Sequence, residues 1–219
     1  MRTLSAHTKL YQDFVGIEEG AYHTIVRFYE AKILEIAQLN FDNYFEILVD
    51  YTNALFEIGA YDKHLTEVTK VIQLSIEHNI QFYKGEDIYF KSLFQKAASH
   101  FNLLESEQAE HILRELIKIN PYNELTIRFL KKCKTHAQPK YIKIARATSI
   151  FLFLTAALIA AIEVMVIYPF SPTKADLFLS IRIVTLSLGL FVLLGTFIYH
   201  RYQVDLKIDR FVKKIRNTK

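Results

Sequence analysis

Among side chains able to do chemistry, Glu163 and Arg182 stand apart, because each sits inside a long apolar run. An unpaired charge in hydrocarbon costs on the order of a few kcal/mol. Glu163 lies five residues before Tyr168, and Arg182 lies five after Leu177. Antiparallel helices would place both roughly 7–8 Å inside one edge, at ~1.5 Å per residue. Facing each other, they would neutralise that cost as an intramembrane ion pair and fix the register of a helical hairpin. Ala156 and Ala160 share the face of Glu163, and Gly189 and Thr196 that of Arg182, so the contact faces are small enough for close packing. A proton or ion path is one alternative, and separate snorkelling of each charge to the interface is another.

The remaining reactive side chains form no constellation. The eight histidines include His100 and His111 on paired helices, but no Cys, Asp or Glu stands at metal-ligand spacing from them, so no metal is expected. Cys133 lies among Lys131, Lys132 and Lys134, which could lower its pKa, yet no catalytic histidine pairs with it. Acylation of a juxtamembrane thiol is a further option for it. A single cysteine excludes an internal disulfide and fits a reducing compartment. No Gly-rich phosphate loop, nucleophile elbow or paired-carboxylate motif occurs, and six glycines leave little material for one. No catalytic residue and no cofactor is expected; the sequence does not read as an enzyme.

The elements that must position Glu163 and Arg182 are two apolar runs, Ala147–Tyr168 and Leu177–Tyr199, separated by residues 169–176. Helices of that length rise roughly 33 Å, matching a hydrocarbon core of about 30 Å. The expected layout is a helical domain over 1–136, a basic linker over 137–146, a first span over 147–168 and an outer loop over 169–176. A second span over 177–199 and a basic amphipathic tail over 200–219 complete it. Residues 1–137 carry 15 Lys+Arg against 19 Asp+Glu, and residues 138–219 carry 12 against 4. Basic residues beside apolar spans point to anionic lipid headgroups and away from nucleic acid. Both flanks of the hairpin are rich in Lys and Arg, whereas the loop holds Lys174 alone. Both termini are therefore expected in the cytoplasm, with a bacterial inner membrane as the anticipated location. The opening Met1-Arg-Thr-Leu-Ser-Ala-His has no apolar core, so no secretory signal is expected there.

Upstream of the spans, apolar residues recur at helical spacing and no alternating run is long enough for a strand. The pattern predicts helices near Leu4–Phe14 and Glu18–Leu39, then Tyr44–Ile58 with Asn40-Phe-Asp-Asn43 as its start and Gly59 as a left-handed cap. A helix bearing Leu65, Val68, Val71, Ile72 and Ile76 follows, then a linker Asn79–Lys84 and an antiparallel pair opened by Gly85-Glu-Asp87. A last helix is expected over Glu124–Lys134. The fold class is all-α.

Residues 41–136 resemble the tetratricopeptide repeat. The better match is Leu93-Phe-Gln-Lys-Ala-Ala-Ser-His-Phe, with Ala109, Leu113, Leu116 and Pro121 following; the weaker one starts at Ala54 and departs from the pattern at His64, where a small residue belongs. The resemblance implies a solenoid of antiparallel helix pairs whose first helices line a concave groove. By position that groove would hold Glu46, Val49, Asn53 and Phe56 from the weaker match and Lys91, Phe94, Ala98, Phe101 and Asn102 from the better one. Arg128 and Lys132 would extend it from the capping helix. Such a wall suits a protein or peptide partner; the alternative is that Phe94 and Phe101 pack against neighbouring helices. The function expected is a membrane-anchored adaptor or scaffold. The competing expectation is a membrane effector or channel that forms homo-oligomers through the hairpin under control of the repeats.

Overall fold

A computed structural model describes residues 2–137, 139–170 and 172–218, with side chains from Lys9 onward apart from that of Pro172. Gln138 of the expected linker and Ser171 of the expected loop lie outside the described residues. The protein is all-α, with one minimal β-hairpin among the described residues, and it divides into two units, Met1–Cys133 and Lys134–Lys219.

The first unit runs α1 (Arg2–Val15), α2 (Tyr22–Ala31), the single turn α3 (Ile33–Ile36), α4 (Phe41–Glu57) and α5 (Tyr61–Glu77). Strands β1 (Phe82–Tyr83) and β2 (Glu86–Asp87) follow, then α6 (Ile88–Asn102), α7 (Ser106–Ile119) and α8 (Glu124–His136). Local chemistry sets most of these ends. Asn40 accepts from the Asn43 amide at 3.1 Å and caps α4; Asp87 accepts from the Phe90 amide at 2.8 Å and caps α6. Gly59, at φ +77°, closes α4: its amide bonds the Phe56 carbonyl while that of Ala60 reaches Leu55. Two expectations need correction. The helix anticipated over Glu18–Leu39 starts only at Tyr22 and breaks at Lys32, whose φ of −121° leaves the helical region. The expected linker Asn79–Lys84 instead carries β1, paired antiparallel with β2 as Phe82↔Asp87 and Tyr83↔Glu86. Lys84 (φ +48°) and Gly85 (φ +81°) make its two-residue turn, the combination that a right-twisted hairpin favours.

Apolar stripes bury this unit's core. Ile36, Ile47, Leu48 and Leu55 are fully buried around α4, with Phe14, Tyr29, Phe45 and Tyr51 beside them. Tyr29 and Tyr51 stack at 3.8 Å. Between α6 and α7, Ala97 and Ala109 permit the close approach over which Leu113, Leu116 and Ile117 are sealed. Each such Leu or Ile contributes about 1.5–3 kcal/mol relative to exposure.

The second unit contains α9 (Lys140–Ile162), a π-helical turn (Glu163–Ile167), the single turn α10 (Tyr168–Phe170), a 3-10 turn (Pro172–Lys174) and α11 (Ala175–Arg216). Helix α9 already begins at Lys140, so Tyr141–Arg146 are helical and not linker. Helix α11 continues unbroken for 42 residues through the expected tail. The stretches Lys140–Phe170 and Ala175–Arg216 are long and apolar enough to cross a membrane. Their most apolar windows are only 11% and 6% buried, unlike core helices of a soluble domain. Phe151, Leu154, Leu158, Leu188 and Phe191 face outward, while Ser149, Ala156, Glu163 and Gly189 are buried. Three of these, Ser149, Ala156 and Glu163, recur every seven residues, the period of two helices packed along a left-handed seam. At Gly189 the fit is close: an added Cβ would come within 2.8 Å of Phe153 Cε1.

Candidate functional site

The first unit carries a groove of about 590 Å³. One wall is α4, whose Glu46, Asp50, Asn53 and Glu57 share a face at helical spacing; Lys91 and Gln95 of α6 continue it. The connection between α1 and α2 supplies Glu18, Glu19 and apolar Ile17, and the β-hairpin supplies Tyr83 and Lys84. Fixed bonds hold the floor. Gln95 Nε2 donates to Asn53 Oδ1 at 3.0 Å and ties α6 to α4. The Tyr11 hydroxyl donates to Glu46 at 2.6 Å, and that bond to a carboxylate pushes the phenol up to about 12. Burial, with Asp50 at 3.5 Å, holds the Tyr83 phenol above its ordinary value.

The groove is electronegative. Six carboxylates (Glu18, Glu19, Glu46, Asp50, Glu57, Glu86) line it against two lysines, and both lysines are spent locally. Lys84 pairs with Asp50 at 3.0 Å, and Lys91 pairs with Glu86. Glu18, Glu19 and Glu57 are exposed and have no ion-pair partner among the described residues.

Of the eleven residues expected to line a partner groove, Glu46, Asn53 and Lys91 meet in this one. Val49 is a correction: it is 2% exposed and belongs to the core. Phe56 also turns away, its ring 5.3 Å from that of His64 and 5.9 Å from that of Tyr61 on α5. Phe94 and Phe101 each lie 5.5 Å from Phe129, so they pack α6 against α8, and Lys132 sits over the Phe101 ring at 5.3 Å. Arg128 pairs with Glu124 at 2.6 Å on the surface of α8. Ala98, Asn102 and Arg128 do not line the groove. Residue-by-residue transfer missed Asp50, Glu57 and Gln95. The signal available for them was the polar stripe of α4 and its continuation four residues beyond Lys91.

In the hairpin, Glu163 and Arg182 come together. Arg182 Nη1 donates to Glu163 Oε2 at 2.7 Å, and the Tyr168 hydroxyl donates to the other carboxylate oxygen at 3.3 Å. Glu163 is 1% exposed, so its charge is countered and its oxygens are bonded inside the helix pair. The π-helical turn that begins at Glu163 was not foreseen; it widens the helix at the residue where the charge must turn inward.

His64 and Cys133 play no part in either site. His64 is fully buried; its Nδ1 lies 2.8 Å from Ser99 Oγ on α6, and burial lowers its pKa to about 4. This contact ties α5 to α6. For Cys133 the lysine environment does not decide the outcome. Its thiol is fully buried, and desolvation pushes it up to about 12, leaving it neither thiolate nor accessible to acylation. Among the described residues no group of His, Cys, Asp and Glu could hold a metal ion. No protein-family model, curated protein or solved structure matches the chain.

Proposed function

We propose that the protein is a membrane-anchored adaptor whose first unit captures a basic, amphipathic peptide segment of a partner at the cytoplasmic face. The observation that carries this reading is the groove: unpaired carboxylates at Glu18, Glu19 and Glu57 rim a floor with Ile17, Ile25 and Tyr83. Lys or Arg side chains of a partner would meet those carboxylates while its apolar residues cover the floor. The hairpin supplies the anchor. Its apolar exterior suits lipid, and its buried carboxylate Glu163 is already paired with Arg182 within the chain, which weighs against a charged conduit. The distribution of Lys and Arg about the spans favours cytoplasmic termini. Confinement to a surface raises the effective concentration of the groove toward membrane partners without any new contact.

A photo-crosslinking side chain at Gln95, tested in native membranes, should yield one discrete adduct. Glu57→Lys with Glu18→Lys should reduce it at least tenfold, and a probe at exposed Leu125 on α8 should not give it. An adduct indifferent to the charge reversals, or equally strong from Leu125, refutes the groove as the capture surface.

A further inference from the structure

At one end of the hairpin lies a second, smaller cavity of about 260 Å³, below the ~300–1,000 Å³ of pockets for drug-sized ligands. Tyr141 on the first turn of α9 and His200 on α11 form its centre, and Lys134, Gln203 and Lys207 line it with them. The Tyr141 hydroxyl and His200 Nδ1 are 2.6 Å apart, with the rings edge-on at 5.9 Å. A phenol that donates to Nδ1 leaves the imidazole proton on Nε2. That Nε2 is buried and has no partner, and His200 as a whole is only 6% exposed. A buried donor left unsatisfied has lost its water without gaining a partner, so the arrangement is at its most stable when an acceptor occupies the cavity.

Charge specifies the acceptor. Lys134 and Lys207 both line the cavity, no carboxylate does, and Lys207 makes no ion pair among the described residues. The Lys207 ammonium and one imidazole N–H, with Lys134 adding positive charge to the lining of a space too small for a large ligand, match a phosphoryl group. Tyr141 precedes the first apolar run by a few residues and His200 directly follows the second, so in a bilayer the cavity sits at headgroup depth. Basic pockets between spans on the cytoplasmic side suit phosphate-bearing headgroups. His64 provides the contrast: its Nε2 also lacks a partner, but the residue is fully buried beside Phe56 and lines neither the groove nor this cavity.

We propose that Lys134, Tyr141, His200 and Lys207 form a binding site for the phosphoryl headgroup of an anionic lipid. The inference rests on the reading of the hairpin as membrane-spanning and is independent of the groove. Native mass spectrometry of the full chain in neutral detergent, titrated with dioleoyl phosphatidic acid, dioleoyl phosphatidylcholine or inorganic phosphate, tests it. One phosphatidic acid should be retained per chain, with about tenfold preference over phosphatidylcholine. Lys207→Ala and His200→Phe should each weaken retention about tenfold, whereas Lys213→Ala with Lys214→Ala, outside the cavity, should leave it unchanged. Should His200→Phe fail to fold by circular dichroism, the exposed Lys207 decides the matter alone. Equal losses from the Lys213 and Lys214 changes would show diffuse attraction to the basic tail and overturn the site. Retention of inorganic phosphate without the lipid would reassign it to a soluble anion and overturn the lipid proposal. Failure of the hairpin reading registers separately, as release of the chain from membranes by alkaline carbonate.

Discussion

The two units of this protein apply one set of forces in opposite directions. In the helical-pair unit the sealed side chains are Ile36, Ile47, Leu48, Leu55 and Leu113, and charge sits outside. Along the apolar stretch of the hairpin the sealed residues are Ser149, Ala156, Glu163 and Gly189, while Phe151, Leu154 and Phe191 face outward. Water drives the first arrangement through apolar burial. Lipid, the surroundings proposed for the hairpin, would make the second one favourable, because chains as apolar as leucine reward only packing and polar pairing between helices. The same residue type therefore has a different energetic role in each unit.

The largest expected effect comes from breaking the hairpin's polar seam. Arg182→Leu leaves the Glu163 carboxylate buried without its partner and should destabilise the hairpin by about 3–5 kcal/mol in mixed-micelle unfolding. Glu163→Leu in the same chain should restore most of that loss. A double variant no more stable than the single one would mean that the pair does not hold the hairpin together. The comparison is sharpened next by one substitution made twice. Leu48→Ala, in the core, should cost about 2–5 kcal/mol in denaturant unfolding. Leu154→Ala, on the exterior of α9, should change hairpin unfolding by less than about 0.5 kcal/mol. Similar costs at both positions would place the exterior of α9 against protein.

A smaller effect concerns pH and belongs to the first unit alone. His64 is held neutral by burial, with its folded pKa about 4 against an ordinary 6.5. Between those values the unfolded chain binds the extra proton, so stability is complete above pH 6.5 and falls as pH drops toward 4, by up to roughly 3 kcal/mol. His64→Asn should flatten that part of the stability–pH curve. An unchanged slope would show that His64 is solvated and not sealed.

Much of this was legible in the sequence, and the remainder was hidden for identifiable reasons. The apolar runs, the Asn40 and Gly59 helix boundaries and the facing of Glu163 and Arg182 follow from length, capping chemistry and arithmetic along the chain. The β-turn at Lys84-Gly85 was obscured because it places a lysine at positive φ, where sequence rules expect Gly or Asn. The π-helical turn at Glu163 leaves no mark in residue type, since Glu163-Val-Met-Val-Ile167 reads as ordinary helix. Groove residues were misplaced because aromatic rings were taken as the recognition surface, yet Phe94 and Phe101 find a better partner in Phe129. Of the stripe Glu46, Asp50, Asn53 and Glu57, the repeat positions named only Glu46 and Asn53; Asp50 and Glu57 join them where α6 and the β-hairpin close around the same face of α4.

The unbroken run of α11 has a mechanical consequence. Its 42 residues make a rod of about 63 Å, twice the thickness of a bilayer's oily interior, with no proline, glycine pair or altered turn to act as a joint. If the apolar half spans a bilayer as proposed, whatever tips it must also swing the basic half. Over the roughly 25 Å beyond Tyr199, a rotation of about 10° displaces the basic tip by some ~4 Å. On that reading, a change in bilayer thickness would become lateral travel of a charged lever arm, without any rearrangement inside the helix.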